Sequence, residues 1–425
     1  MSSITDNKWS ALTMSTLAYT VNFAVWTMFA IIGMGIKDEM SLSETQFGLL
    51  VATPIFSGAL SRLPLGIMVE RLGGRLVFIL QLLFVAIPTY GLSFATEYWQ
   101  YLFFGFFIGI AGGSFSVGIT YTSSWFEARQ QGLALGIFGA GNIGVAVTNL
   151  VAPMIMLSSG WRTVPQYYAI ALIAIAVLFL LFTSIDPKHR ERKKTSQYPA
   201  FDEQIRPLGD LRVWRLGFYY FFVFGGFVSL ALWLPQYFVG EYGFDLTTAS
   251  YAALAFLVPS TVARALGGWI SDRIGARQVN WWVFWICIVC LFFLSYPQTT
   301  MIIHGTDREI KLAIGISVYT FIALIFVMGM AMGFGKASVF RLVYDFYPRN
   351  MGVVGGMVGF LGAVGGSTLP VLFGIAADLT SIRSSCFMLL YGVLGTCMIW
   401  MYYAIKLDDH LERIREAKDK DFFST

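Results

Sequence analysis

Charged residues are scarce in this chain, and their scarcity limits where the protein can fold. Asp, Glu, Lys and Arg make up 13% of its 425 residues, whereas 56% are hydrophobic. A soluble domain carries about 25% charged residues, because water must solvate most of its surface. The composition therefore argues against a soluble protein and predicts an all-α membrane protein with several spans.

Cysteine and histidine are also scarce, which argues against several kinds of reactive site. The four cysteines lie in apolar segments, where neither a disulfide framework nor a zinc site is expected. The three histidines lie in loops or in the C-terminal tail. The chain has no Walker sequence, histidine cluster or intramembrane carboxylate pair. We therefore expect neither an enzyme nor a protein with a metal or other cofactor.

Most of the chain consists of long apolar runs. Turn residues and charges divide them into twelve candidate spans, each long enough to cross a bilayer. Their approximate limits are 9–35, 46–69, 76–95, 98–124, 131–157, 163–185, 213–239, 247–271, 278–297, 311–342, 352–377 and 383–405. The longest hydrophilic interruption follows the sixth span. The predicted domains are therefore a six-helix bundle at 1–185, a linker at 186–212, a second six-helix bundle at 213–405 and a tail at 406–425.

Lysine and arginine are distributed unevenly between the two sides of the predicted membrane. Alternating the loops between the sides places twenty of them with the linker and both termini, and five on the other side. Because cytoplasmic loops carry an excess of Lys and Arg, both termini and the linker are predicted to be cytoplasmic. Four cations remain inside the apolar runs: Arg62, Arg264, Lys336 and Arg341.

The two halves of the chain carry an internal repeat. Residues 62–75, RLPLGIMVERLGGR, match residues 264–277, RALGGWISDRIGAR, at an offset of 202 without a gap. A second match, at an offset of 220, joins residues 129–141 to residues 349–361 at the glycine-rich starts of the fifth and eleventh spans. Two six-span halves with the same orientation indicate parallel repeats about an axis normal to the membrane.

Each half carries the pattern G-x-x-x-[DE]-R-x-G-x-R after its second span. This pattern, with twelve spans and a long central linker, resembles the major facilitator superfamily. The resemblance implies two pseudo-symmetric six-helix bundles. It also implies that the charged residues of the pattern gate the cytoplasmic side, although they could instead only anchor the loops. These gating candidates are Glu70, Arg71, Arg75, Asp272, Arg273 and Arg277.

Arg62 and Arg264 occupy equivalent positions of the repeat, inside apolar helices. Burying one arginine near the bilayer centre costs at least about 2.5–3.5 kcal/mol on insertion scales. The middle of the spans expected to line the path contains no Asp or Glu that could neutralise them. A small planar oxyanion between the two guanidinium groups would relieve both the burial cost and their mutual repulsion. The alternative for either arginine alone is that its side chain snorkels to the membrane interface.

The fifth span contains the pattern G-x-x-G-x-G-N-x-G at residues 136–144. It resembles the nitrate signature of the nitrate/nitrite porter family, and the glycines of the eleventh span form its counterpart. Any one of these glycines or aromatic residues could instead serve only to pack helices together. The further residues that the resemblance places at the substrate site are Gly141, Asn142, Gly362, Tyr220, Phe224 and Phe115.

Lys336 is another cation near the predicted path. Asp345 lies more than two helical turns away, so an ion pair between the two is not expected. Burial and repulsion from the arginines would favour loss of a proton from Lys336. It is therefore a candidate proton carrier for coupled transport.

Together these residues predict a secondary transporter of nitrate, with nitrite as a second candidate substrate, in the inner (cytoplasmic) membrane. Nitrate/proton symport is the first expectation, because an anion entering a negative cell interior needs a co-transported positive charge. Nitrate/nitrite antiport is the alternative and needs no titratable group, and transport of another small anion is a third. A channel is disfavoured, because repeated gating loops have no role in a continuous pore. The expected partners are nitrate, nitrite, protons and the lipid bilayer, with no nucleic acid, and a monomer is expected.

Overall fold

The computed structural model describes residues 7–126, 134, 137–187, 189–191, 206–304, 309–347 and 351–423. Within these residues, twelve helical spans are long and apolar enough to cross a membrane. The first six consist of the helices Lys8–Thr27 with Phe29–Met40, Glu44–Leu72, Gly74–Gly91, Tyr98–Ile108 with Ser114–Ser123, Gly144–Ser159, and Thr163–Phe182. The last six consist of Leu211–Tyr220 with Phe227–Tyr242, Leu246–Ile274, Ala276–Leu294, Val318–Phe346, Met351–Thr380 and Ser385–Phe423. They are called spans 1 to 12, and they confirm the predicted twelve-helix architecture.

One short sheet interrupts the helical fold between spans 9 and 10. Strand β1, Thr299–His304, pairs antiparallel with strand β2, Glu309–Ile314. The sequence limits were wrong here, because they began the tenth span at residue 311. The helix starts only after Ser317, whose side chain accepts a hydrogen bond from the backbone N–H of Thr320 at 3.2 Å. The two membrane faces are called the hairpin face, which carries β1 and β2, and the linker face, which carries residues 183–187 and 206–210.

The second span of each half begins with the same kind of cap, which extends the repeat into the backbone. Ser43 caps span 2 by accepting a hydrogen bond from Gln46 N–H at 3.2 Å. Asp245, 202 residues later, caps span 8 by accepting from Thr248 N–H at 3.1 Å. These caps satisfy backbone donors that a helix start leaves without partners.

Buried aromatic rings fill each half between its helices. Phe78 and Phe179 join spans 3 and 6 with ring centroids 5.0 Å apart, and Tyr237 stacks on Phe321 at 5.0 Å between spans 7 and 10. The outward faces are apolar as well, as in Leu157, which is 77% exposed. Helices that are apolar both inside and outside suit a lipid environment.

The halves meet tightly at the hairpin face. A Cβ atom added to Gly48 of span 2 would meet the carbonyl of Pro370 in span 11, and one added to Gly374 would meet the carbonyl of Glu44. Only glycine allows the two backbones to approach this closely. Spans 2 and 11 therefore close this face.

Three glycines nearer the linker face lack such close contacts. At Gly66, Gly268 and Gly356, in spans 2, 8 and 11, an added Cβ atom would meet no atom of the described residues within 4 Å.

Candidate functional site

The helices are irregular at the level where the sequence placed the substrate. Span 4 contains the 3-10 turn Gly109–Gly113 next to Phe115, and span 5 contains the 3-10 turn Ala140–Ile143. Span 7 contains the π-helical turn Phe221–Gly226 directly after Tyr220. Such turns inside α-helices often mark functional positions, because they redirect side chains and free backbone groups.

Arg62 is buried between the two halves. Its Nη1 donates to the carbonyl of Gly359 in span 11 at 2.6 Å, and its Nε lies 3.4 Å from the carbonyl of Gly112 in span 4. Its guanidinium carbon lies 5.5 Å from the ring centroids of both Phe115 and Phe224. Carbonyls and aromatic faces partly replace the water that this cation lost.

Arg264 reaches in the opposite direction, from the C-terminal half to span 5. A Cβ atom added to Gly139 would lie 3.7 Å from the Arg264 guanidinium carbon. Gly139 and Gly359 are matched positions of the repeat, so each arginine contacts the equivalent glycine of the other half. These two contacts join the halves at the level of the predicted site.

The Phe115 ring lies close to both cations. The Arg264 guanidinium carbon is 6.0 Å from the Phe115 centroid, on the ring that Arg62 also approaches. Among the residues that the structure describes, neither arginine forms an ion pair with a carboxylate, and Nη1 of Arg264 is buried without a hydrogen-bond partner. The structure therefore brings together two positive groups that lack a carboxylate counterion in the part of the chain it describes.

Tyr220 and Phe224 lie beside this pair. Their rings are parallel, with centroids 5.0 Å apart and an interplanar angle of 4°. The Tyr220 ring also meets Phe340 edge-on at 4.9 Å, and Tyr220 lies close enough to both arginines for an electrostatic interaction. Packing thus holds the ring beside the cations.

The N-terminal half mirrors this arrangement with a second tyrosine. Tyr19 donates a hydrogen bond to Oδ1 of Asn142, whose Nδ2 is buried without a partner among the described residues. A Cβ atom at Gly141 would overlap the Tyr19 ring, and one at Gly362 would overlap the Tyr220 ring. Each predicted site glycine therefore leaves room for one tyrosine ring.

Sequence reasoning missed Tyr19, although a signal for it exists. Tyr19-x-x-x-Phe23 matches Tyr220-x-x-x-Phe224 at an offset of 201, one residue from the offset of the repeat. Sequence reasoning also missed Trp26. The centroid of its ring lies 5.9 Å from the Arg62 guanidinium carbon, and its Nε1 donates to the carbonyl of Pro54 at 2.7 Å. A single tryptophan in an apolar helix has no pattern that separates it from core packing.

Lys336 is fully buried in span 10. Its Nζ lies 3.5 Å from the centroid of the Phe227 ring and has no hydrogen-bond partner among the described residues. It is close enough to Arg264 for like-charge repulsion. Asp345 pairs instead with Arg341, at 3.2 Å. The lysine is thus placed beside the cationic site without a counterion.

The gating candidates whose contacts are known interact within their own halves. Arg75 donates to the carbonyl of Leu180 at 2.6 Å, and Asp272 accepts from Arg341 at 2.8 Å. Arg273 lies over the ring of Trp269 on its own helix, at 3.9 Å. The structure describes only the backbone of the residues at positions 70 and 71. The predicted gate is untested by this conformation.

A carboxylate outside the membrane holds two spans together at the linker face. Asp210 caps span 7 by accepting from the backbone N–H of Arg212 at 2.9 Å, and it also accepts from the Tyr347 hydroxyl after span 10. Burial raises the pKa of the Asp210 carboxyl, but these hydrogen bonds and the charge of Arg212 outweigh it and hold the pKa below its ordinary value. The link between spans 7 and 10 is therefore strongest with Asp210 ionised.

Comparisons with known proteins show the family of this chain. A model of the Major Facilitator Superfamily matches residues 15–306. The chain is 38% identical to a probable nitrate/nitrite antiporter, NarK1, of Thermus thermophilus, over 93% of this chain and 91% of that protein. It is 30% identical to a nitrite extrusion protein of Bacillus subtilis (strain 168), over 95% of this chain and 96% of that protein.

A solved structure shares the fold at much lower sequence identity. A bacterial homolog to the human lysosomal transporter Spinster superposes with a TM-score of 0.70 at 16% identity, covering 93% of this chain and 96% of that one. This likeness concerns the fold alone. With twelve spans and relatives along nearly its whole length, this multi-pass membrane protein belongs to the major facilitator superfamily and, within it, to the family of nitrate/nitrite transporters.

Proposed function

We propose that this protein is a secondary active transporter that moves nitrate, and also nitrite, across the cytoplasmic membrane by alternating access. The observation that carries the proposal is the pair of Arg62, which is buried, and Arg264, which is partly buried, one from each half and both within 6.0 Å of the Phe115 ring. Neither has a carboxylate counterion among the described residues. A planar oxyanion supplies the missing charge and matches the geometry of guanidinium donors. The names of the relatives support the same substrates.

The anion is coupled to the motion of the halves because its two ligands belong to different halves. An empty site leaves two cations facing each other, and a bound anion removes that repulsion. The halves, 1–185 and 213–405, rock about the site, with the linker and both termini in the cytoplasm, as the positive-inside rule predicts. On this orientation, the linker face is the cytoplasmic face. The transporter works as a monomer in the bilayer.

Asn142 presents its amide N–H₂ group to the anion, and Tyr19 sets that orientation. The Tyr19 hydroxyl donates to Oδ1, which leaves Nδ2 as the free end of the amide. Nδ2 is a donor and suits an anion, whereas an amide turned the other way would present an acceptor. Tyr19 is thus a positioning residue that acts through Asn142.

Coupling to protons is the first candidate, with Lys336 as the carrier. The lysine is buried beside Arg264 and lacks a counterion among the described residues. Nitrate/nitrite antiport is the second candidate. It is favoured by the absence of a carboxylate from the described contacts of both arginines, since exchange needs no titratable acid.

Transport of labelled nitrate into liposomes that contain the purified protein tests the proposal. Uptake is measured under an inward proton gradient and, separately, with nitrite inside the vesicles. In Arg62→Lys and Arg264→Lys, loss of the planar fork should lower uptake at least about tenfold, because charged hydrogen bonds contribute about 1.5–3 kcal/mol. Arg383→Lys is the matched control, since Arg383 lies at the hairpin face with 56% of its side chain exposed.

Two outcomes would contradict the proposal. One is that the folded wild-type protein moves no nitrate in either mode. The other is that Arg62→Lys and Arg264→Lys transport as well as the Arg383→Lys control. Circular dichroism of each purified variant separates a lost site from a lost fold.

A further inference from the structure

The β-hairpin between spans 9 and 10 is an addition to the repeat. In the N-terminal half, three residues connect Phe94 to Tyr98, whereas the equivalent connection from Leu294 to Val318 has 23 residues. This insertion accounts for the rise of the repeat offset from 202 to 220. The hairpin therefore serves something that the six-helix plan does not need.

The register of the hairpin separates apolar from polar side chains. Met301 pairs with Leu312, Ile303 with Ile310 and Thr299 with Ile314, and these pairs share one face because strand residues alternate. The opposite face carries Ile302 as its large apolar residue and is otherwise polar or small. Its pairs are Thr300 with Ala313, Ile302 with Lys311, and His304 with Glu309.

The apolar face is uncovered by the described part of the chain. Between 38% and 45% of the surface of Met301, Ile310, Leu312 and Ile314 is exposed. An isolated two-stranded hairpin is at best marginally stable in water, and an exposed apolar face marks a contact surface. Something outside the described chain is therefore expected to cover this face.

Exposed aromatic side chains lie at the ends of the two spans that adjoin the hairpin. Phe292 and Phe293 end span 9 at 63% and 50% exposure, and Tyr319 begins span 10 at 83%. Aromatic side chains at such positions settle at the interface between membrane and water. Only residues 295–298 and 315–317 separate the strands from these spans, so the base of the hairpin lies at the membrane boundary.

The base of the hairpin is also tied down. Gln298 Nε2 donates to the carbonyl of Ile316 at 3.2 Å, which joins the two connections, and the Tyr242 hydroxyl donates to the same carbonyl at 3.3 Å. Since Tyr242 ends span 7, the hairpin is held to the C-terminal half at the level of the membrane surface.

We propose that the hairpin rests on the lipid bilayer at the hairpin face. The face of Met301 and Leu312 enters the boundary between headgroups and acyl chains, and the face of Thr300 and Lys311 stays in water. This is the arrangement that amphipathic elements adopt at membrane interfaces. It is independent of the transported substrate and gives the C-terminal half an additional contact with the outer leaflet.

Site-directed spin labelling of the full chain in liposomes tests this placement. Single cysteines replace Met301 or Leu312 on the apolar face, and Thr300 or Lys311 on the polar face. The four native cysteines are buried, and the unsubstituted protein is the blank for their labelling. Collisions of each label are measured with oxygen, which concentrates in lipid, and with a water-soluble nickel complex.

We expect the ratio of oxygen to nickel collisions to be severalfold higher at positions 301 and 312 than at positions 300 and 311. Equal, nickel-dominated collisions at all four positions would place the hairpin in water and overturn the proposal. Loss of both kinds of collision at 301 and 312, with dipolar broadening between labels of different molecules, would assign the face to a second copy and overturn it too. Positions 300 and 311 are the matched controls, because they lie on the same strands as 301 and 312 but on the opposite face.

Discussion

At the scale of single residues, one hydroxyl sets what a buried amide presents to the site. Tyr19 stacks on Phe138 at 4.9 Å and lies 5.6 Å from Phe115, so its ring has little freedom. Its hydroxyl donates to Oδ1 of Asn142. Without that bond, the amide of Asn142 could turn its oxygen toward the two arginines or the substrate. On the proposed function, Tyr19 therefore acts on anion recognition through Asn142.

Tyr19→Phe tests this role while keeping the ring. Loss of one hydrogen bond costs about 1 kcal/mol, so we expect the KM for nitrate to rise roughly fivefold with a smaller change in the maximal rate. Tyr168→Phe is the matched control, because Tyr168 is also buried in this half and donates to Thr148 at 3.1 Å. Equal KM values in the two variants would remove Tyr19 from substrate recognition.

At the scale of elements, one half caps a helix of the other at the closed face. Asp378 of span 11 accepts from the backbone N–H groups of Glu44, at 3.2 Å, and Thr45, at 2.9 Å, at the start of span 2. Helix N-termini carry partial positive charge, so an ionised carboxylate binds there favourably. Gln236 of span 7 adds a hydrogen bond to the Glu44 carboxylate. These contacts exist only while the hairpin face is closed.

Asp378→Asn should therefore open the hairpin face more often. The substitution keeps the shape of the side chain but removes its negative charge. Such a charge stabilises a helix N-terminus by about 0.3–1 kcal/mol. Spin labels at Asp38 and Leu379, on opposite halves, should show a larger population of long distances in pulsed electron resonance. Asp245→Asn makes the same change in a cap within one half and should leave the distribution unaltered. A distribution that is identical in both variants would argue against the cross-half cap as a latch.

At the scale of the whole molecule, the coupling of transport depends on whether a proton crosses with the anion. Lys336 is buried, with its Nζ over the Phe227 ring and near Arg264. On the proposed function, an anion bound beside this lysine would favour its protonated form. Such a site would link anion binding to proton binding.

Lys336→Gln distinguishes the two coupling modes. If the lysine carries the proton, nitrate uptake driven by a proton gradient should fall at least about tenfold, while exchange against internal nitrite persists. Lys406→Gln, outside the site, is the control for removing one cationic side chain. Proton-driven uptake at the wild-type rate in Lys336→Gln would exclude the lysine from coupling.

Much of the architecture could be predicted, because membrane solvation acts on each segment separately. A run of about 20 apolar residues must form a helix that satisfies its own backbone in lipid, whatever its neighbours do. The repeat at an offset of 202 paired Arg62 with Arg264 without any structural knowledge. The hairpin was missed because residues 309–314 alternate apolar and polar side chains over only six positions.

The sequence alone determined the twelve helices, their repeat and the presence of intramembrane cations without carboxylates. Only the tertiary structure decided that Phe115 lies near both arginines. It also decided that Arg62 contacts Gly359 and that Arg264 contacts Gly139, the matched glycine of the other half. It also decided that Tyr19 joins the site and that spans 2 and 11 close one face. Helix formation is local, whereas these contacts depend on how the two halves pack, which no single span encodes.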